Sequence, residues 1–105
     1  MVDPARVHEV FAGDLPEDAA KIVGATQRPV AQLGFSEPNG APAWKKLPSW
    51  AVVATADKAA GTDLTRSMAE RAGAQITDAD GSHVIMISQP DIVVGVIQDA
   101  IAAVA

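Results

Sequence analysis

The chain has no cysteine, which excludes disulfides and thiolate metal sites without fixing the compartment. Basic residues are also scarce. Eight Lys and Arg stand against 13 Asp and Glu, for a formal net charge of -5 and an isoelectric point near 4.7. Only Lys45 and Lys46 are adjacent, and phosphate backbones are held by clustered cations, so no nucleic-acid partner is expected. No stretch reaches the ~18 consecutive apolar residues of a spanning helix. Asp3, Arg6, His8 and Glu9 interrupt the N-terminus before an apolar run builds up. Neither a signal peptide nor a membrane anchor is therefore expected, and a cytoplasmic location is the default. No Gly-rich loop follows a strand to cradle a phosphate or dinucleotide. His8 and His83 are not spaced with Glu9 or Asp80 as a ligand set, and the stretch Asp78-Ala79-Asp80-Gly81-Ser82-His83 lacks the later acidic ligand of a calcium loop. Cofactors and metals are expected to be absent. Gly-x-Ser-x-Gly, the strained strand-to-helix elbow that exposes a serine nucleophile, is missing too.

What is present is enough for one small domain. Of 105 residues, 49% are hydrophobic and 20% charged, a balance that excludes disorder of the whole chain. Residues 1–47 read as helix and loop. Asp14, with Glu17 three positions on, resembles a capping box, and Leu15, Ala19, Ile22 and Val23 supply an apolar stripe at helical spacing. That helix ends near residues 24–27, and Arg28-Pro29 closes it, because a residue before proline avoids helical geometry. Pro38-Asn39-Gly40-Ala41-Pro42 reads as an exposed turn, suited to a lid or connector.

Residues 48–105 read as strand, helix, strand, helix. The first strand is expected over residues 49–55, where Trp50-Ala51-Val52-Val53-Ala54 suggests burial on both faces. Asp63 is a candidate cap for a helix with Leu64, Met68 and Ala72 on one face, and Gly73 is its stop. The second strand is expected over residues 75–78. After the Asp80-Gly81 turn, Val84-Ile85-Met86-Ile87 is expected to enter the core, and Ser88 to cap a final helix bearing Ile92, Val93, Val96, Ile97, Ile101 and Val104. The right-handed crossover rule makes the two strands parallel, so Asp57 and His83 emerge at the same rim.

An acid and a histidine so placed are two members of a catalytic triad. The carboxylate fixes the imidazole tautomer and stabilises the imidazolium that forms as a nucleophile gives up its proton. The plainer alternative makes Asp57 a turn former and His83 a satisfied polar residue at a strand exit. Ser82 adjoins His83 but has no elbow beneath it, and Ser36, Ser49, Ser67 and Ser88 lack that context as well. Trp44, Trp50, Phe35 and Met86 are expected in core or lid packing. If a pocket is present, Trp44 and Met86 are the first candidates to line it.

The order of these features resembles the C-terminal part of the α/β-hydrolase family, closest to bacterial esterase-like members related to plant methyl esterases and hydroxynitrile lyases. Pro48-Ser49-Trp50-Ala51-Val52-Val53-Ala54-Thr55-Ala56-Asp57-Lys58-Ala59 looks like the penultimate core strand and the acid after it. Gly81-Ser82-His83 matches the motif of the catalytic histidine, and Val84-Ile85-Met86-Ile87-Ser88-Gln89-Pro90 continues the likeness. Residues 1–47 resemble the end of the lid and its return, through Gln27-Arg28-Pro29 and Pro42-Ala43-Trp44-Lys45. The resemblance implies a partial α/β-hydrolase fold. Its parts are a lid-like connector over residues 1–47 and the βαβα end of the core, with two parallel strands, over residues 48–105.

It also implies a C-terminal fragment of a serine-type hydrolase of small carboxylic esters, with His83 as base and Asp57 as acid. The nucleophile and the oxyanion loop would come from an N-terminal half. A second possibility is a non-catalytic remnant that serves assembly, because two strands leave a sheet edge open to a second copy or a complementing polypeptide.

Overall fold

The computed structural model describes all 105 residues. In chain order it contains α1 (Val7–Val10), α2 (Glu17–Ala25), α3 (Leu33–Ser36), β1 (Trp50–Ala54), α4 (Thr62–Arg71), β2 (Gln75–Ala79), α5 (Ile85–Ser88) and α6 (Pro90–Val104), with single 3-10 turns at Pro4–Arg6 and Ala43–Lys45. The architecture is mixed α/β. β1 and β2 form a two-stranded parallel sheet in which Trp50 pairs with Gln75 and Ala54 with Ala79. The β-branched residues of β1 hold it extended, and Val53 is 1% exposed.

The ladder runs on past both strands. Thr55 N–H donates to Ala79 O at 2.9 Å, and Ala56 N–H to Gly81 O at 3.0 Å. These two bonds carry the residues before Asp57 alongside the residues before His83, which is how the sheet sets the site.

α4 crosses between the strands and stops where expected: Gly73 has φ of +66°, a left-handed conformation that side chains resist. Its start differs from expectation. Gly61 holds the cap position and Asp63 lies in the first turn, where a carboxylate still favours the positive end of the helix dipole. Thr62 makes the useful bond instead, its hydroxyl donating to Ala54 O at 2.8 Å and tying α4 to the end of β1. The buried contact of α4 is Ala69. Leu64 and Met68, expected on the packed face, are exposed, because β1 has no further strand beside it for that face to cover.

Three other expectations are corrected. α2 begins at Glu17 after Pro16 rather than at Asp14, since the Asp14 carboxylate is engaged by Ser82 and Ser88. Its buried positions are Ala20 and Gly24, while Ile22 is exposed. The run Val84-Ile85-Met86-Ile87 enters the core only with its first two residues. The chain then coils into α5, and Met86 and Ile87 are each 52% exposed. Ser88 does not cap α6; Gln89 holds that position, followed by Pro90, whose fixed φ suits a first helical turn.

Two small clusters make the core. Val7, Ala12, Leu15, Ala20 and Val84 form one, and Ala54, Ala79 and Ile85 the other. Val84 and Ile85 are consecutive, so the segment after His83 joins both clusters. Residues 28–48 contribute no buried side chain. Phe35, expected in packing, is 82% exposed there, and Trp44 is half-buried. No helix is long and apolar enough to cross a membrane.

Candidate active site

Asp57 lies in the turn that leaves β1, and its side chain is buried. One oxygen, Oδ1, accepts the backbone N–H groups of Ala59 and Ala60, each at 2.9 Å. This local turn aims the other oxygen at the neighbouring strand end, where Oδ2 meets His83 Nδ1 at 2.8 Å. Burial pushes the Asp57 carboxyl up. The bonds from His83, Ala60 and Ala59 outweigh it and hold the group below its usual range. Asp57 is therefore ionised at neutral pH and accepts only, which places the proton of that contact on Nδ1 of His83. The other ring nitrogen, Nε2, is left to exchange protons with whatever lies beyond.

The imidazole is held on its flank by Phe11, whose ring centroid is 4.7 Å away at an interplanar angle of 46°. The His83 side chain remains 37% exposed, so the dyad is supported from below and open above. It opens on a cleft of about 400 Å³ whose walls include Trp50, Val52, Ile85, Met86, Val93 and Ile97. Such walls suit an apolar acyl or alkyl group.

The sequence candidates separate on this map. Asp57, His83 and Met86 line that cleft. Trp44 lines a different one of about 430 Å³, beside Ser49, Met68 and Arg71, with Lys45 and Arg71 each 5.8 Å from its ring centroid. Ser82 is buried, donates its hydroxyl hydrogen to Asp14 and is not part of the cleft at His83. His8 is engaged with Leu15 O through Nε2 at 2.9 Å, and no three His, Asp or Glu side chains approach as a metal-binding group.

Sequence reading missed two contributors. Phe11 gave no signal, because an aromatic residue after a four-residue helix has many uses. Asp14 gave a misleading one, since an acid three residues before a glutamate fits a capping box. Gly81, read from the sequence only as a turn residue and motif member, shows how close this corner is: a Cβ there would run into Ile85 Cδ1 and Asp14 Oδ2.

The sequence model of the alpha/beta hydrolase family matches residues 2–96. No curated protein and no solved structure matches the chain. The family match takes in the exposed segment, the parallel strand pair and the Asp57 and His83 corner together, and on that extent the chain belongs to the alpha/beta hydrolase family.

Proposed function

We propose that the chain supplies the acid and the base of a serine-type hydrolase of small carboxylic esters, and that an N-terminal half supplies the nucleophile. The observation that carries this reading is the 2.8 Å bond between Asp57 Oδ2 and His83 Nδ1 at the mouth of an apolar cleft. A serine Oγ from the complementing half attacks the ester carbonyl carbon as His83 Nε2 takes its proton. The intermediate collapses with loss of the alkoxide, which receives that proton from the imidazolium. Water then attacks the acyl-serine, again giving a proton to Nε2. That proton returns to the serine oxygen as the carboxylic acid leaves. Asp57 keeps the ring in the right tautomer and stabilises its charge throughout. Residues 1–47 serve as the lid-derived connector and residues 48–105 as the end of the core sheet.

The place for the missing half is the free edge of β1. Gln75 N–H bonds Ser49 O, and Thr55 N–H bonds Ala79 O, so odd-numbered residues of β1 face β2 and even-numbered ones face away. Ala54 O is taken by Thr62. Trp50 and Val52 keep their peptide groups for another strand, between clefts lined by α4 and by α6.

The test is hydrolysis of short p-nitrophenyl esters by this chain mixed with an N-terminal hydrolase half carrying Gly-x-Ser-x-Gly. Activity is expected from the mixture and from neither part alone, and His83→Ala should abolish it. Turnover that survives His83→Ala would overturn the assignment. A second reading, a non-catalytic assembly module, rests on the same edge and on the exposed row Val94, Ile97, Ile101 and Val104 of α6. A mass measurement that finds only monomer, with no binding of an apolar dye, would count against it.

A further inference from the structure

We infer that Asp14 is a positioning residue for His83, acting as a bridge between the residue before the histidine and the helical turn after it. The inference rests on the catalytic reading above for its meaning, but its geometry stands apart. The Asp14 carboxylate accepts the Ser82 hydroxyl through Oδ1 and the Ser88 hydroxyl through Oδ2. The two serines bracket residues 83–87, which include the imidazole and the cleft residues Ile85 and Met86. Burial raises the Asp14 carboxyl, while the bonds from Ser82 and Ser88 more than offset that and lower it overall. As a carboxylate it only accepts, so both serines are committed as donors.

Two features make this bridge specific. Ser82 is 4% exposed, and a buried hydroxyl that loses its acceptor stays unsatisfied or draws its segment elsewhere. The bridge also spans 68 and 74 residues of chain, so it joins the N-terminal region to the loop of the histidine rather than adjusting that loop locally. Phe11, three residues before Asp14, presses on the His83 ring in the same region. Residues 11–14 thus fix the ring laterally through Phe11 and its backbone through Asp14, while Asp57 fixes its tautomer. Reacting groups must be held to within a fraction of an ångström, and misplacement by about 1 Å costs on the order of 100-fold in rate.

The test uses nitrogen-edited NMR of the His83 ring in the full chain. In the parent, His83 should show a protected Nδ1–H. Asp14→Ala should lose that signal to solvent exchange while the amide signals of Val52 and Val53 stay in place. Asp14→Asn, which keeps one acceptor, should retain part of it. Ala20→Gly, which loosens the same N-terminal cluster without touching the bridge, should leave it intact. If Asp14→Ala does not fold, Ser88→Ala removes half of the bridge and takes its place. Retention of Nδ1–H in the folded variant, or equal loss in Ala20→Gly, would overturn the positioning role. With a complementing half, Asp14→Ala should lower kcat about 10- to 100-fold at unchanged KM. An NMR effect in a chain that never yields ester hydrolysis would sink the catalytic reading and leave the bridge standing.

Discussion

Residues 7–24 and residues 28–48 are two stretches of similar length and opposite fate. The first contributes Val7, Ala12, Leu15 and Ala20 to a cluster closed by Val84. The second exposes Val30, Leu33, Phe35 and Leu47. Apolar content differs only modestly, nine of 18 residues against eight of 21; anchoring differs more. Residues 7–24 are tied near their middle, by Asp14 to Ser82 and Ser88, and the residues flanking them are tied to each other, Gln27 to Val2, through paired bonds of 2.8 and 3.0 Å. Residues 28–48 carry Pro29, Pro38, Pro42 and Pro48 with Gly34 and Gly40, and their helical pieces are too short to hold a face toward the sheet. The consequence is visible in the radius of gyration, 15.3 Å against about 13 Å for a compact chain of this size.

The sharpest way to test the contrast is in the ester hydrolysis proposed above, with a complementing half. Asp57→Asn should lower kcat by on the order of 10⁴-fold, the scale set by losing the carboxylate that fixes a histidine tautomer. An equal loss from Phe35→Ala would show that the exposed stretch is part of the machinery and dissolve the distinction. Next in size is stability. Val7, 1% exposed, should lose roughly 1.5 to 3 kcal/mol on Val7→Ala, whereas Phe35→Ala should stay within about 0.5 kcal/mol. Urea titrations of both variants would reverse the comparison if Phe35→Ala proved the more damaging.

The smaller effect is on acid stability. The folded Asp57 carboxyl lies below its ordinary 3.8, so its contribution is full above that value and is lost as pH falls toward the folded one. Denaturation followed from pH 6 downward should therefore steepen below about pH 4, and Asp57→Asn should flatten that part of the curve. An unchanged slope would mean that the Asp57 and His83 bond adds nothing to folding. Asp14, lowered for its own reasons, should still account for part of the loss.

Much of the sheet was legible in the sequence. Valine-rich residues between Pro48 and Asp57 required an extended segment, Gly73 marked the helix stop, and the helical crossover between the strands made them parallel. That logic put Asp57 and His83 at one rim, and the structure brings them within 2.8 Å. What could not be read was the partner of any group with several local options. Asp14 is equally suited to a helix N-terminus and to two distant serines. Val84-Ile85-Met86-Ile87 is too short an apolar run for periodicity to separate strand from helix. Trp44 was grouped with Met86 as a wall candidate, yet residues on opposite flanks of β1 look alike until the helices on each side are placed.

The free edge of β1 carries a thermodynamic consequence. A body that buries 14 of its 105 residues has little stability in reserve. Anything that pairs with the folded edge and not with the unfolded chain adds RT ln(1 + [L]/Kd) to its stability. This is about 2.7 kcal/mol when the partner stands at 100 times its dissociation constant. With such a partner, the melting temperature of this chain would read how much of it is present, and folding and assembly would become one equilibrium.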